Sequence, residues 1–265
     1  MTTHELDLSR LRARAGALKL HGLLAHWDEL GATEWPWINQ WLAWEEQERQ
    51  RRGLDARLRK AQVGRFKPLA DFDWEWPSKI DRATVCELMS LEFIEQATNI
   101  ILVGTNGLGK STVARNLTHQ AALQGHSSLF VSAAQMLGDL AAQETDRALH
   151  RRIKHYVKPT LLAIDEVGYL SYGNRQADLL FEIISQRYEK KPTLITTNRP
   201  FSEWNEVFPN AACVVSLVDR LVHHSEVIVL EGESYRMKEA RERAQRKRGK
   251  SAPKKPVTKG REDAP

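Results

Sequence analysis

Apolar residues recur at helical spacing from about Leu6 to Leu30, with Leu8, Leu11, Ala15 and Leu18 on one face and Leu23, Leu24 and Trp27 further on; Gly16 and Gly22 are the interruptions. A second helix is predicted from about Trp37 to Ala61, because Pro36 suits a first turn and Glu, Gln, Arg and Leu fill the later turns. Between Phe66 and Pro77 the periodicity lapses. Pro68, Pro77 and the run Phe72-Asp73-Trp74-Glu75-Trp76 predict an extended connector, followed by a short helix from about Arg82 to Leu91.

From Ile100 onward, apolar β-favouring runs alternate with helical stretches. Strands are predicted at Ile100–Val103, Ser127–Val131, Thr160–Ile164 and Thr193–Thr197. The intervening helices carry Val113, Leu117 and Ala121 on one face up to Gly125, then cover Ala133–Ala142, Glu144–Val157 before Pro159, and Gln176–Tyr188. Ser216–His223 reads as helical and Glu226–Leu230 as a strand. This alternation predicts an α/β fold, a parallel sheet with helices on both faces. The expected organisation is an all-helical N-terminal domain over residues 1–65, a linker over 66–79, the α/β domain over 80–240 and a basic tail over 241–265 that is expected to be disordered.

The first of these strands runs directly into a glycine-rich turn. Ile100 to Thr112 reads I-I-L-V-G-T-N-G-L-G-K-S-T, the G-x-x-x-x-G-K-[ST] pattern of a phosphate-binding loop. The candidate nucleotide contacts are Gly104, Thr105, Asn106, Gly107, Leu108, Gly109, Lys110, Ser111 and Thr112. Glycines let the backbone curl so that its N–H groups face one anion, the lysine supplies a charge for the β and γ phosphates, and Ser111 offers a hydroxyl to Mg²⁺. The helix that starts there adds its positive end.

Composition narrows the class. A chain of 265 residues that is 42% hydrophobic and 28% charged has room for a full α/β core plus a small appendage. No apolar run approaches membrane-spanning length, the first residues lack the basic and apolar regions of an export signal, and Cys86 and Cys213 have no metal or redox spacing, so a cytoplasmic protein with reduced thiols and no membrane partner is expected. The net charge of +5 is uneven: it gathers in the tail and in a run near Arg151. Arg49, Arg51, Arg52, Arg57, Arg59 and Lys60 make a third basic stretch, which reads as a solvated helix face or, less simply, a DNA contact. Five tryptophans lie between Trp27 and Trp44, either as an aromatic core or as a docking surface.

The third strand leads into Asp165-Glu166 at the sheet edge where open α/β sheets bind ligands. Asp165 is the candidate partner of Ser111 in holding Mg²⁺, and Glu166 the base that orients and deprotonates the attacking water. Asn198 closes the fourth strand, either to sense the γ-phosphate or simply to open a turn. Arg220 and Arg236 are candidate cations for the charge that develops in phosphoryl transfer.

The blocks G-T-N-G-L-G-K-S-T, L-A-I-D-E-V-G-Y-L, I-T-T-N-R-P-F-S-E-W and L-V-D-R-L-V-H-H-S occur in this order. Over roughly Leu8 to Lys238 the chain resembles the IstB family, ATP-binding helper proteins of bacterial insertion sequences, which belongs to the AAA+ initiator group with DnaC and DnaA. The resemblance implies that Lys110 and Ser111 fall on Walker A, Asp165 and Glu166 on Walker B, Asn198 on sensor 1, Arg220 on an arginine finger acting in trans and Arg236 on sensor 2. It further implies an ATPase that assembles as a homo-oligomeric ring or spiral on duplex DNA and prepares or selects the target for a partner transposase. A helicase loader of the DnaC type is the alternative. The initiator group carries a helical insertion after the second strand that tracks DNA, which implies phosphate contacts by Arg147, Arg151, Arg152 and Lys154.

Overall fold

A computed structural model describes residues 7–169, 172–208 and 212–250. Its centre is a parallel sheet of β1 (Asn99–Gly104), β2 (Ser128–Ser132), β3 (Leu161–Val167), β4 (Thr193–Thr197) and β5 (Ser225–Leu230), in the order β2-β3-β4-β1-β5. Successive side chains of a strand point to opposite faces, and the sequence exploits this. Ile101, Leu162, Ile164 and Ile195 enter one core, while Ile100, Leu102, Leu161, Ala163 and Leu194 enter the other. Such two-sided burial requires helices on both faces.

Ahead of the sheet come α1 (Leu8–Ala17), α2 (His21–Ala25), α3 (Trp35–Ala61), α4 (Arg82–Glu87) and α5 (Glu92–Glu95). Between and after the strands lie α6 (Lys110–Leu123), α7 (Ala133–Ala141), α8 (Asp146–Val157), α9 (Asn174–Arg187), α10 (Trp204–Val207), α11 (Val214–Val222) and α12 (Tyr235–Lys250). Helix α6 and the end of α3 cover one face; α7, α8, α9 and α11 cover the other.

The 27 residues of α3 span about 40 Å at 1.5 Å per residue. At its start Trp35, Ile38 and Leu42 close a small core with Leu11, Ala15, Leu18 and Trp27, and Arg14 of α1 grips Glu46 through two 2.8 Å hydrogen bonds. At its end Leu58 and Ala61 pack into the core beside α6. The tryptophan cluster therefore does two things at once: Trp27 and Trp35 are buried with ring centroids 4.9 Å apart, whereas Trp37 and Trp44 are exposed. The basic stretch of α3 is largely neutralised along the helix itself, by Arg49–Glu45, Arg51–Glu48, Arg51–Asp55 and Arg52–Glu48 pairs. Arg57 donates to the carbonyl of Ala122 near the end of α6.

Three expectations need correction. The breaks in the segment up to Leu30 are not at Gly16 and Gly22, which lie inside α1 and α2: Lys19 at φ 55° ends α1, and α2 and a 3₁₀ turn at Trp27–Glu29 come after it. The predicted Arg82–Leu91 helix ends at Glu87, continues as a 3₁₀ turn, and gives way to α5 after Leu91 at φ 68°. The tail is not disordered from Arg241, because α12 runs through that point to Lys250; the remainder of the tail and the first six residues lie outside the described residues. No helix among the described residues is long and apolar enough to cross a membrane.

Candidate functional site

The turn after β1 is shaped by two glycines in the left-handed region, Gly107 at φ 83° and Gly109 at φ 96°, the second standing as the N-cap of α6. Both also face protein at close range. A Cβ on Gly107 would collide with Ser234 Oγ, and one on Gly109 would collide with the Phe72 ring. The loop is thus pressed by the 66–79 connector and the C-terminal turn as well as shaped for an anion. Lys110 is buried, and its ammonium donates to the carbonyls of Gly104 at 2.5 Å and Thr105 at 2.7 Å. Burial pulls it down to about 8, against the opposing pull of Asp165 and Glu166.

Asp165 and Glu166 sit inside β3, not after it. Ile164 pairs with Ile195 and Val167 with Thr197, so three steps on β3 oppose two on β4, and Glu166 takes φ 62°. This bulge lets neighbouring carboxylates do different jobs. Asp165 is buried and its Oδ1 accepts from Ser111 Oγ at 2.8 Å and from Thr196 Oγ1 at 2.5 Å. Glu166 is exposed toward the cleft, its N–H donating to Thr196 Oγ1 at 2.9 Å. Thr196 lies on β4 between the strands of Ser111's loop and Asp165 and ties the site together. Its role was not readable from sequence, where a threonine in a strand is ordinary β composition.

The cleft over the loop is lined by residues 106–112, Glu166, Thr196, Thr197, Asn198 and Arg236, and on its other wall by Lys67, Phe72, Asp73, Trp76 and Tyr235. Asn198 Oδ1 is buried and has no hydrogen-bond partner among the described residues, an acceptor left for a ligand or water. The connector is fastened to the C-terminal segment across this mouth. Lys79 and Glu231 exchange backbone hydrogen bonds, Trp76 Nε1 donates to the Glu233 carbonyl at 2.8 Å, and Lys238 pairs with Asp73 at 3.0 Å. Within the connector, Phe72 lines the cleft, while Trp74 packs outside its wall under the Arg82 guanidinium, 5.3 Å from its ring. Trp76 and Tyr235 supply the other aromatic surface.

Arg236 reaches this cleft and Arg220 does not. Arg220 lies on α11, where it donates to Ser185 Oγ at 2.5 Å and stacks over Phe181 at 4.5 Å, both on α9. The residues of α8 also separate into two groups. Arg147, Arg151 and Lys154 are exposed at i, i+4 and i+7 on one face, with Lys158 continuing the line. Arg152 departs from the expected set: its guanidinium is taken by Asp139 of α7 and lies over the Tyr156 ring.

The oxygen-only set of Ser111 and Asp165 suits a hard cation such as Mg²⁺, and the loop, Lys110 and Arg236 suit a polyphosphate. Comparison with known proteins agrees with this chemistry. The family model described as "IstB-like ATP binding protein" matches residues 13–243. The chain belongs to this family. The IstB-like chain is 34% identical over 242 residues to the insertion sequence IS21 protein of Pseudomonas aeruginosa, covering 90% of this chain and 91% of that one. It is 33% identical over 194 residues to the insertion sequence IS5376 protein of Geobacillus stearothermophilus, covering 73% and 77% respectively. Among solved structures, DnaI aligns with a TM-score of 0.52 at 19% identity, over 65% of this chain and 92% of that one. The replication initiator DnaA bound to AMPPCP and single-stranded DNA aligns with a TM-score of 0.52 at 19% identity, over 68% and 54%. The IstB-like chain therefore has the AAA+ fold of these proteins and the sequence of the insertion-sequence family.

Proposed function

We propose that this IstB-like chain binds ATP with Mg²⁺ over the loop at Lys110 and hydrolyses it when Arg220 of a neighbouring copy reaches the γ-phosphate. The observation that carries the reading is the cluster at the sheet edge: buried Lys110 beside Ser111, whose hydroxyl shares Asp165 with Thr196, while Glu166 one residue on faces the cleft. Loop carbonyls satisfy the Lys110 ammonium, and triphosphate oxygens replace them as partners when nucleotide binds. Ser111 and Asp165 would hold Mg²⁺, which would supply charge neutralisation for the phosphates. Glu166 accepts the proton of the attacking water, Asn198 positions that water, and Arg236 contacts the phosphates from the C-terminal side.

Arg220 lies outside its own cleft, which favours action in trans and therefore assembly into a ring or spiral. The stripe of Arg147, Arg151 and Lys154 is the surface we assign to duplex DNA, where phosphate contacts position the assembly without reading sequence. Membership of an insertion-sequence family favours a transposase as the client of the ATP-bound state, with residues 1–65 as the module for oligomer and partner contacts.

The test is nucleotide binding and turnover in two variants. Lys110→Ala is expected to lose ATP binding and ATP-dependent assembly on DNA, while Glu166→Gln binds and assembles but does not release phosphate. Retention of ATP by Lys110→Ala at wild-type affinity would contradict the assignment.

A further inference from the structure

Away from the cleft, Glu189, His223 and His224 come together where α9 and α11 end. One ring nitrogen from each histidine and a carboxylate oxygen of Glu189 lie within 4.8 Å of one another. Glu189 Oε1 stands 3.7 Å from His223 Nδ1 and 3.5 Å from His224 Nε2. A carboxylate that served as an ordinary partner of one imidazole would close to hydrogen-bond distance, as Glu29 does with His26 at 2.8 Å in this same chain. Here the oxygen instead stands between the two rings, nearly equidistant from both. The spacing is close to the edge of a zinc tetrahedron, which bonds of 2.0–2.1 Å set at about 3.4 Å.

Backbone geometry points the same way. Glu189 is the residue just past α9 that turns the chain at φ 54°, with the N–H groups of Lys190 and Lys191 returning to the Arg187 carbonyl. Glycine is the residue that favours this helix-ending position, and a side chain there costs about 1 kcal/mol. Glu189 stands in a conformation that a glycine would take more easily, and its carboxylate is what that conformation delivers to the histidines. Tyr188 Oη lies 2.9 Å from the same His223 Nδ1, so an ion bound there takes the place of that hydrogen bond.

We propose that Glu189, His223 and His224 form a binding site for a divalent transition-metal ion of the zinc class, with one coordination position open. Imidazole and carboxylate together suit Zn²⁺, and the ion joins the end of α9 to the end of α11. Arg220 lies one turn earlier on α11 and is held to Ser185 of α9, so the same clamp fixes the helix that presents it. That consequence rests on the shared-site reading above; the metal site does not.

The test is calorimetric titration of the full chain with Zn²⁺ near pH 7 in the absence of nucleotide, alongside melting curves with zinc or with chelator. One equivalent is expected to bind with a dissociation constant of about 10 μM or tighter, and to raise the melting temperature by mass action. Glu189→Gln and His224→Ala each weaken binding at least about tenfold. Glu189→Gly loses the ion equally, yet melts higher than the wild type in chelator because its backbone is relieved. No stoichiometric binding at 100 μM Zn²⁺, or binding unchanged in these three variants, overturns the proposal. Because no nucleotide is added, the result is independent of whether ATP occupies the cleft.

Discussion

Replacing Arg147, Arg151 and Lys154 together with alanine separates DNA contact from mere surface charge. The three side chains share one exposed face of α8, while Arg152 is committed to Asp139 and Tyr156. Each cation that neutralises a duplex phosphate contributes about 0.9 to the slope of log affinity against log salt, so losing three removes about 2.7. Over a fourfold change in salt that difference amounts to about 40-fold in relative affinity. Anisotropy of a labelled duplex, with a non-hydrolysable ATP analogue and Mg²⁺ present across a salt series, reads the slope directly. Arg152→Ala is the control: it should lower thermal stability, because Asp139 and Tyr156 lose their partner, and leave the slope as it was. A triple variant with the wild-type slope, or an Arg152→Ala slope that falls as far as the triple, would refute the reasoning.

The geometry of the cleft and core sets further outcomes. Lys110 is held at about 8 by burial, and a polyphosphate favours its protonated form, so ATP binding takes up a proton above pH 8 and affinity falls by up to about tenfold per unit from there, measured by calorimetry at pH 7, 8 and 9. For folding without nucleotide the sign is opposite: between pH 8 and the ordinary lysine range the unfolded chain binds more protons, so this group's contribution to stability rises with pH. Arg187 is 1% exposed and donates to Thr193 Oγ1 and to the carbonyls of Tyr156, Val157, Pro159, Thr160 and Pro192. Arg187→Met strands these acceptors and should cost about 3–5 kcal/mol in urea unfolding, since it unpins the end of α8 from the sheet. Gly109→Ala, with φ 96° and the Phe72 ring in the way of the new Cβ, should cost about 1–3 kcal/mol and release the connector from the loop, seen as faster proteolysis between residues 66 and 79.

The parts legible in the sequence were those carried by local signals. β4 runs from Thr193 to Thr197 as its apolar run predicts, and α3 and the phosphate loop come from helix period, Pro36 and the glycine spacing. Features that depend on distant pairing were not legible. The bulge that puts Asp165 and Glu166 within β3 exists only against β4, and Thr196 matters only because it lies between Ser111's loop and Asp165. Trp76 and Tyr235 share a wall of the cleft although they lie far apart in sequence. Arg152 and Arg151 are equal as charges in a string of letters; the helical turn gives one to Asp139 and the other to solvent. Helix α12 was missed for a different reason. Its Glu, Arg, Lys and Ala are strong helix formers whose high charge also resembles a disordered tail, and the start of the helix is held by Tyr235 N–H donating to the Gly107 carbonyl.

Mixing two inactive variants tests the shared site most directly. Glu166→Gln binds nucleotide, assembles and carries Arg220 but has no base for turnover, and Arg220→Ala carries the cleft but lacks the arginine. Each alone should show no DNA-stimulated phosphate release. In a randomly mixed assembly about a quarter of the junctions join an intact cleft to an intact arginine, so an equal mixture should recover about a quarter of wild-type turnover. A mixture as inactive as its components, or an Arg220→Ala protein that hydrolyses ATP at the wild-type rate alone, would contradict the account.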